Sequence, residues 1–537
     1  MSELSASAGG VSTSTTGTDL VAATREAWDA AVTERLAVRL IGKDPTLWGD
    51  EATAEARVRL GWLDAVAIGR LQAPGIASLR AELVAEGVDR VVLAGMGGSS
   101  LAPEVICATA GKVLVVLDTT DPGQVRAALT ELERTVVVCS SKSGGTVETD
   151  SHRRAARAAF EAAGIDARRR IVIVTDPGSP LESTARAEGV RAVFLADPHV
   201  GGRYSALTAF GLVPAGLAGV DITSLLDEAA ALEATLGSDT DNPALALGAA
   251  LGGPGVAGRD KVVLADVGSG MTGFGDWAEQ LVAESTGKNG TGLLPVVVEG
   301  PDAPGTQPTD DSHLVLLGPT PGGGSATAVS GPLGGQFLAW EYATAVAGRL
   351  MGINPFDQPN VQESKDNTQA ILDGAPSTTP PPAFVEAAVE VYGAPSLTDA
   401  GDLRGVLSAL LAAVPDRGYL AVMAYLDRHA EAAAPELRPL LAGRMPHPVT
   451  FGWAPRFLHS TGQFHKGGPQ VGVFLQITGA VTEDLDVPGR PYSFGQLQAA
   501  QSRGDLHALA QRGRPVLRVH LTDRVAGLRA LLEAARP

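Results

Sequence analysis

The stretch Thr135–Phe160, TVVVCSSKSGGTVETDSHRRAARAAF, changes character twice. Thr135–Ser140 is β-branched and apolar, the composition of a buried strand. From Glu148 onward, Arg153 and Arg154 stand among alanines, which predicts helix. Between the two lie Ser140, Ser141, Lys142, Ser143, Gly144, Gly145 and Thr146. A small, hydroxyl-rich turn feeding a helix start suits an anion, because the first helical turn has free N–H groups and the positive end of the helix dipole. An ordinary N-capped connection uses the same residue types, so the turn alone leaves both readings open.

Strand and helix patterns alternate on either side of this stretch. RVVLAGM, KVLVVLD, RIVIVTD and RAVFLAD read as strands, and SLAPEVICATA, PGQVRAALTELE and SPLESTARAEG read as helices between them. Short apolar strands alternating with helices specify a parallel sheet covered on both faces. A second alternating region starts near Asn242, with DKVVLADVGSG, LLPVVVEG and HLVLLG as strands and FGDWAEQLVAES as a helix. Two helical stretches follow, then the Pro-rich APSTTPPPAF, a linker or surface crossing. Beyond about Val385, helices are mixed with the strand-like VGVFLQITG and PVLRVHL. Upstream, Asp19–Glu86 has helical spacing, and the Ser/Thr/Gly-rich Met1–Thr18 is expected to be a disordered tail.

The bulk properties narrow the partners. The chain has 537 residues and a formal net charge of −18. That charge speaks against nucleic acid and against an anionic membrane surface, since both require clustered Lys and Arg. A small anion needs only local positive potential. The 2 cysteines, Cys107 and Cys139, cannot build a disulfide framework and suit a reducing compartment. The first residues lack a basic segment followed by an apolar one, so no secretory signal is expected. No apolar run is long enough to cross a bilayer. A cytoplasmic protein is the expectation.

Leu93–Glu104, LAGMGGSSLAPE, places glycines between a strand and a helix. Against the dinucleotide fingerprint G-x-G-x-x-G it has Ser100 at the last glycine position, and Asp118 ends the next strand where a ribose-binding acid belongs. A dehydrogenase is therefore a competitor on this motif alone. A nucleotide site has no need of a second Ser/Thr/Gly turn on the same sheet edge. Two such turns side by side suit one compact anion with many oxygens, such as a phosphate monoester.

GMGGSSLAPE followed by SKSGGTVET resembles the phosphosugar-binding SIS fold of glucose-6-phosphate isomerases. GGRYSALTAFGL, WAEQLVAESTGK and GINPFDQPNVQESK fit that family in order, over roughly Ala94–Asp366. The resemblance implies an α/β fold with two doubly wound SIS-type parallel-sheet domains, a helical N-terminal segment and an α/β C-terminal extension. The corresponding expected boundaries are a tail at 1–18, the helical segment at 19–86, SIS domains at 87–238 and 239–374, and a C-terminal region at 375–537.

The resemblance also implies roles. Ser99, Ser141, Lys142, Ser143 and Thr146 bind the substrate phosphate, with Gln280 at the phosphate end. Arg203 lies beside the reacting carbons, Glu284 is the catalytic base and Lys365 is an active-site lysine. The family's ring-opening histidine has no counterpart in its usual place. His465, in TGQFHKGG, is expected to serve, with His459 as the next choice and Lys365 assisting, while His313 reads as a surface histidine. The implied activity is aldose–ketose isomerisation of glucose 6-phosphate and fructose 6-phosphate through a cis-enediol, in glycolysis and gluconeogenesis. No cofactor and no metal are expected, the partner is a small sugar phosphate, and a homodimer is implied. The alternative is a SIS protein that senses sugar phosphates without reacting. For Glu284 the plain alternative is an i,i+4 surface pair with Lys288.

Overall fold

The computed structural model describes residues 3–319, 324–359, 368, 370–372 and 380–537. The chain opens with a hairpin, β1 (Glu3–Ala8) and β2 (Val11–Thr16). Helices at Thr18–Thr33, Leu36–Ile41, Asp50–Arg57 and Ala65–Ala85 follow, as the helical spacing predicts.

The first sheet contains β3 (Arg90–Gly95), β4 (Val115–Leu117), β5 (Thr135–Ser140), β6 (Ile171–Thr175) and β7 (Ala192–Leu195). All pairs are parallel, in the order β4-β3-β5-β6-β7. The winding reverses between β3 and β5. In an open α/β sheet the crevice for a ligand lies at the carboxyl ends of the strands at such a reversal. Both the glycine turn and the Ser/Thr/Gly turn follow these two strands.

The second sheet contains β8 (Lys261–Asp266), β9 (Leu294–Val298), β10 (Ser312–Leu317) and β11 (Thr327–Ser330), in the parallel order β9-β8-β10-β11. The hairpin extends it, with β2 antiparallel to β11. This corrects the expectation of a disordered tail. In β2, Val11, Thr13 and Thr15 are buried, and the intervening residues are half-exposed. The buried hydroxyls are satisfied, Thr13 Oγ1 by the carbonyl of Pro243 at 2.9 Å and Thr15 Oγ1 by Thr327 Oγ1 at 2.9 Å. Threonine is a good strand former once its hydroxyl has a partner, and composition alone does not reveal that partner.

The C-terminal extension holds a third sheet. Its strands are β12 (Phe384–Glu386), β13 (Val389–Tyr392), β14 (Tyr419–Tyr425), β15 (Val449–Trp453), β16 (Gly472–Gly479) and β17 (Val516–Leu521). The parallel order is β15-β14-β16-β17, with β13 and β12 antiparallel at one edge. It repeats the winding of the other two sheets. One large core joins the N-terminal helices to the first two sheets. The third unit has its own core, and a shared one, including Tyr419, Tyr425, Phe457, Phe464 and Phe474, seats it against the second sheet.

Candidate active site

The turn after β3 is where other segments meet. Gly97 has φ +57°, and a Cβ there would lie 2.7 Å from Gln280 Nε2 and 3.0 Å from the His459 carbonyl oxygen. A Cβ on Gly98 would lie 1.9 Å from the carbonyl oxygen of Gly202, beside Arg203. These glycines bring three other segments of this chain against the turn. Asp118, the acid of the dinucleotide reading, is buried and bonded to Arg456 at 2.6 Å. Burial opposes its ionisation, but Arg456 and Arg428 hold its carboxyl below the usual range. Ser99 is buried in this turn, and Ser100 Oγ donates to the Gly97 carbonyl.

The turn after β5 is organised by its hydroxyls. Ser141 Oγ lies 3.1 Å from Thr146 Oγ1 and accepts from the Gly144 N–H at 3.2 Å, and Ser143 Oγ accepts from the Gly145 N–H. Thr146 is the N-cap of the helix Val147–Ala162 and makes no side-chain capping bond. The positive end of a long helix therefore opens onto the turn, where an anion is favoured. Lys142 turns aside to pair with Asp176 at 2.5 Å and the Pro198 carbonyl at 2.9 Å.

Glu284 and Gln280 lie one turn apart on the helix Phe274–Thr286, and Gln280 Nε2 donates to Glu284 Oε2 at 3.1 Å. Arg203 Nη1 stands 3.1 Å from Glu284 Oε1, with the side chains 3% and 8% exposed. Nη1 also donates to Gln358 Oε1, while Nε donates to Ser285 Oγ at 2.8 Å and Nη2 to the carbonyls of Pro355 and Asp357. A fork held by so many acceptors presents a fixed positive charge. The i,i+4 pair of Glu284 with Lys288 does not form. Lys288 bonds to Asp357 and to the carbonyls of Asn354 and Asp357. Burial, with the Arg203 charge adding to it, brings the Lys288 ammonium down to about 8.

The structure places the two expected histidines in different surroundings. The His465 ring is buried against Tyr419, Phe457 and Phe474, and neither nitrogen has a hydrogen-bond partner among the described residues. Burial, helped by the charges of Lys466 and Arg514, pushes it well below the usual histidine range. It is a core histidine. His459 is the imidazole in the cluster, with its carbonyl accepting from Gln280 Nε2 at 2.9 Å and its Nε2 lying 3.1 Å from Glu148 Oε1. The short turn Arg456–His459 is held to the first sheet by Arg456, which reaches Asp118 and Glu104. His313, expected at the surface, is buried on β10 with Nε2 2.9 Å from Thr327 Oγ1, and burial takes it down to about 4. Lys365 lies outside the described residues.

The family model for phosphoglucose isomerase matches residues 81–289. That segment contains Ser99, the Ser141–Thr146 turn, Arg203, Gln280 and Glu284; His459, His465 and Lys365 lie beyond it. The chain is 37% identical over 239 residues to the glucose-6-phosphate isomerase of Acaryochloris marina, covering 42% of this chain and 45% of that relative. It is 29% identical over 343 residues to a probable glucose-6-phosphate isomerase of Haloarcula marismortui, covering 53% of this chain and 78% of the relative. The alignments thus span less than half the length of the first curated relatives it matches. In fold it is similar to a hypothetical protein of Thermus thermophilus, with TM-score 0.56, 24% identity, and 66% and 99% of the two chains covered. It is also similar in fold to a glucose-6-phosphate isomerase of Chlamydia trachomatis, with TM-score 0.54, 20% identity, and 69% and 89% covered.

Sequence reasoning assigned no role to Glu148, Gln358 or Ser285. Glu148 stands two residues after Thr146, where an acid complements the helix dipole. Its place in the helix start gave a sufficient local reason, which concealed its contact with a histidine 311 residues away.

Proposed function

We propose that this chain interconverts glucose 6-phosphate and fructose 6-phosphate. The observation that carries the reading is the buried Arg203–Glu284 pair beside Gln280, joined through the Gly97–Gly98 turn to His459 and so to the helix that begins at the Ser141–Thr146 turn. The phosphate is held by Ser99, the hydroxyls of Ser141, Ser143 and Thr146, and the positive end of that helix, with Lys142 adding long-range charge. His459 carries a proton between the ring oxygen and the C1 hydroxyl, which opens the sugar. Its Nε2 faces Glu148, leaving Nδ1 to meet the substrate. The Glu284 carboxylate then takes the proton from C2 of the aldose and returns it to C1, while the O2 hydroxyl proton passes to O1, so that the carbonyl moves from C1 to C2. The enediolate charge that develops is met by Arg203. Lys365 is proposed to assist at the ring.

A sensor that binds without reacting has no use for a carboxylate paired with a buried guanidinium, so the enzyme reading is favoured. The test follows glucose 6-phosphate formation from fructose 6-phosphate with the protein and its Glu284→Gln variant. The variant should lose kcat while its affinity for a phosphorylated inhibitor stays unchanged. An active variant would remove Glu284 as the base, and an inactive parent would leave the sensor. A place in glycolysis and gluconeogenesis, a cytoplasmic location and association as a homodimer go with this reading as proposals. Among the described residues no helix is long and apolar enough to cross a membrane.

A further inference from the structure

Glu148 has a second donor besides His459. Gln501, on the helix Phe494–Gln511 of the C-terminal unit, places Nε2 2.7 Å from the same oxygen, Glu148 Oε1. Its own Oε1 accepts from Thr120 Oγ1 at 2.8 Å. Thr120, Gln501 and Glu148 are 0%, 2% and 4% exposed, so water does not compete for these bonds. Thr120 follows β4 of the first sheet, and Glu148 begins the helix after the Ser141–Thr146 turn. A residue of the third sheet unit therefore bridges a loop and a helix start of the first.

The direction of the bonds follows from the chemistry. An ionised carboxylate only accepts, so the amide must turn its NH₂ toward Glu148 and its oxygen toward the Thr120 hydroxyl. With Gln501 and His459 both directed at Glu148 Oε1, the imidazole must donate from Nε2. Its Nδ1 is then the basic nitrogen.

We propose that Gln501 is a positioning residue for ring opening: it holds Glu148 so that the carboxylate fixes the tautomer and orientation of His459. The inference rests on the isomerase reading. It gives the C-terminal unit two parts in the site, the imidazole and the clamp on its carboxylate partner. Loss of the clamp should impair ring opening and leave the C1–C2 proton transfer at Glu284 intact.

The test uses two substrates. Fructose 6-phosphate is mainly cyclic, whereas 5-deoxyfructose 6-phosphate lacks the hydroxyl that closes the ring and is open-chain. Gln501→Met should lower turnover of the cyclic substrate by about 10-fold, less than the about 10²–10⁴-fold that a general acid–base group itself supplies. Turnover of the open-chain substrate should not change. Gln501→Glu keeps the shape but sets two carboxylates together, which favours sharing one proton. Its ring-opening defect should be deep at high pH and recover as the pH falls, because the protonated new carboxyl can again donate to Glu148. An equal loss on both substrates, or a Gln501→Glu defect independent of pH, overturns the proposal. Should the parent protein turn over neither substrate, the isomerase reading fails and the proposal with it.

Discussion

The Gly98→Ala substitution tests whether the turn after β3 sets the spacing of the site. A Cβ at position 98 would stand 1.9 Å from the Gly202 carbonyl oxygen and 2.4 Å from its carbon. Carbon–oxygen contacts in proteins settle at about 3.3 Å or more, so the two loops must separate by about 1.4 Å. The backbone at position 98 is not in the left-handed region, so the methyl group acts through the collision alone. Gly202 is followed directly by Arg203, while Ser99 and the Gln280 contact lie on the other side. The substitution therefore shifts the guanidinium relative to the phosphate end of the site. A misplacement of about 1 Å can cost about 10²-fold in rate, and overpacking costs about 1–3 kcal/mol of stability. The assay is kcat/KM for fructose 6-phosphate, with thermal unfolding followed in parallel. A folded variant with activity lowered about 10²-fold is expected. The control is Gly75→Ala, in the helix Ala65–Ala85 with no atom within 4 Å of the added Cβ. It should keep full activity. If Gly98→Ala keeps activity and melting temperature close to those of the parent, close packing of the loops does not set the geometry.

Replacing Ser141 and Thr146 together by alanine should weaken every phosphorylated ligand, with each lost hydrogen bond to a charged group costing about 1.5–3 kcal/mol. Calorimetric titration with fructose 6-phosphate checks this, and unchanged affinity removes these hydroxyls from the phosphate site. His459→Ala should cut turnover of the cyclic sugar by about 10²–10⁴-fold, whereas His465→Ala should act on thermal stability by leaving a cavity; the opposite pattern would restore the sequence-based order. Mixing Glu284→Gln with His459→Ala should not restore activity, because the base and the imidazole belong to one chain; recovered turnover would show a site completed between chains. Deleting residues 3–16 should lower the melting temperature by exposing β11 and the core around Val11, and an unchanged value would return the segment to its reading as a tail.

The parallel sheets were legible because their strands are short β-branched runs and each run ends in a turn with its own chemistry. Arg90–Gly95, Thr135–Ser140 and Ile171–Thr175 appear where the pattern places them. The third sheet was harder to read. Tyr419–Tyr425, YLAVMAY, is buried along its whole length and carries Ala and Met, so neither alternation nor β-branching marks it. The hairpin at the start was hidden because its threonines resemble a polar tail until their hydroxyl partners are known. In the site, Glu284, Gln280 and Arg203 carried local motifs, and the structure gathers them. The two histidines part for a geometric reason. His459 and His465 share one Gly-rich segment, and the short helix Gly462–Gly467 turns the second ring into the core. Only the packing of Tyr419 and Phe474 tells the two apart.

Each sheet unit brings a different part to the cluster, and the parts suit the proposed order of events. The first gives the Ser141–Thr146 turn, the second the carboxylate and the third the imidazole, so in the proposed reaction the phosphate grip is separate from the groups that move protons. The Arg203–Glu284 pair adds the final element. In the proposed reaction, before proton abstraction, the negative charge is on the Glu284 carboxylate, which stands 3.1 Å from the guanidinium. In the same proposal Glu284 is neutral afterwards and the charge is on the enediolate oxygens beside the same guanidinium. The five acceptors around Arg203 hold it still through both stages. Little reorganisation accompanies the step, which is the condition under which a fixed charge lowers a barrier. The negative charge changes atoms while its counter-ion stays in place.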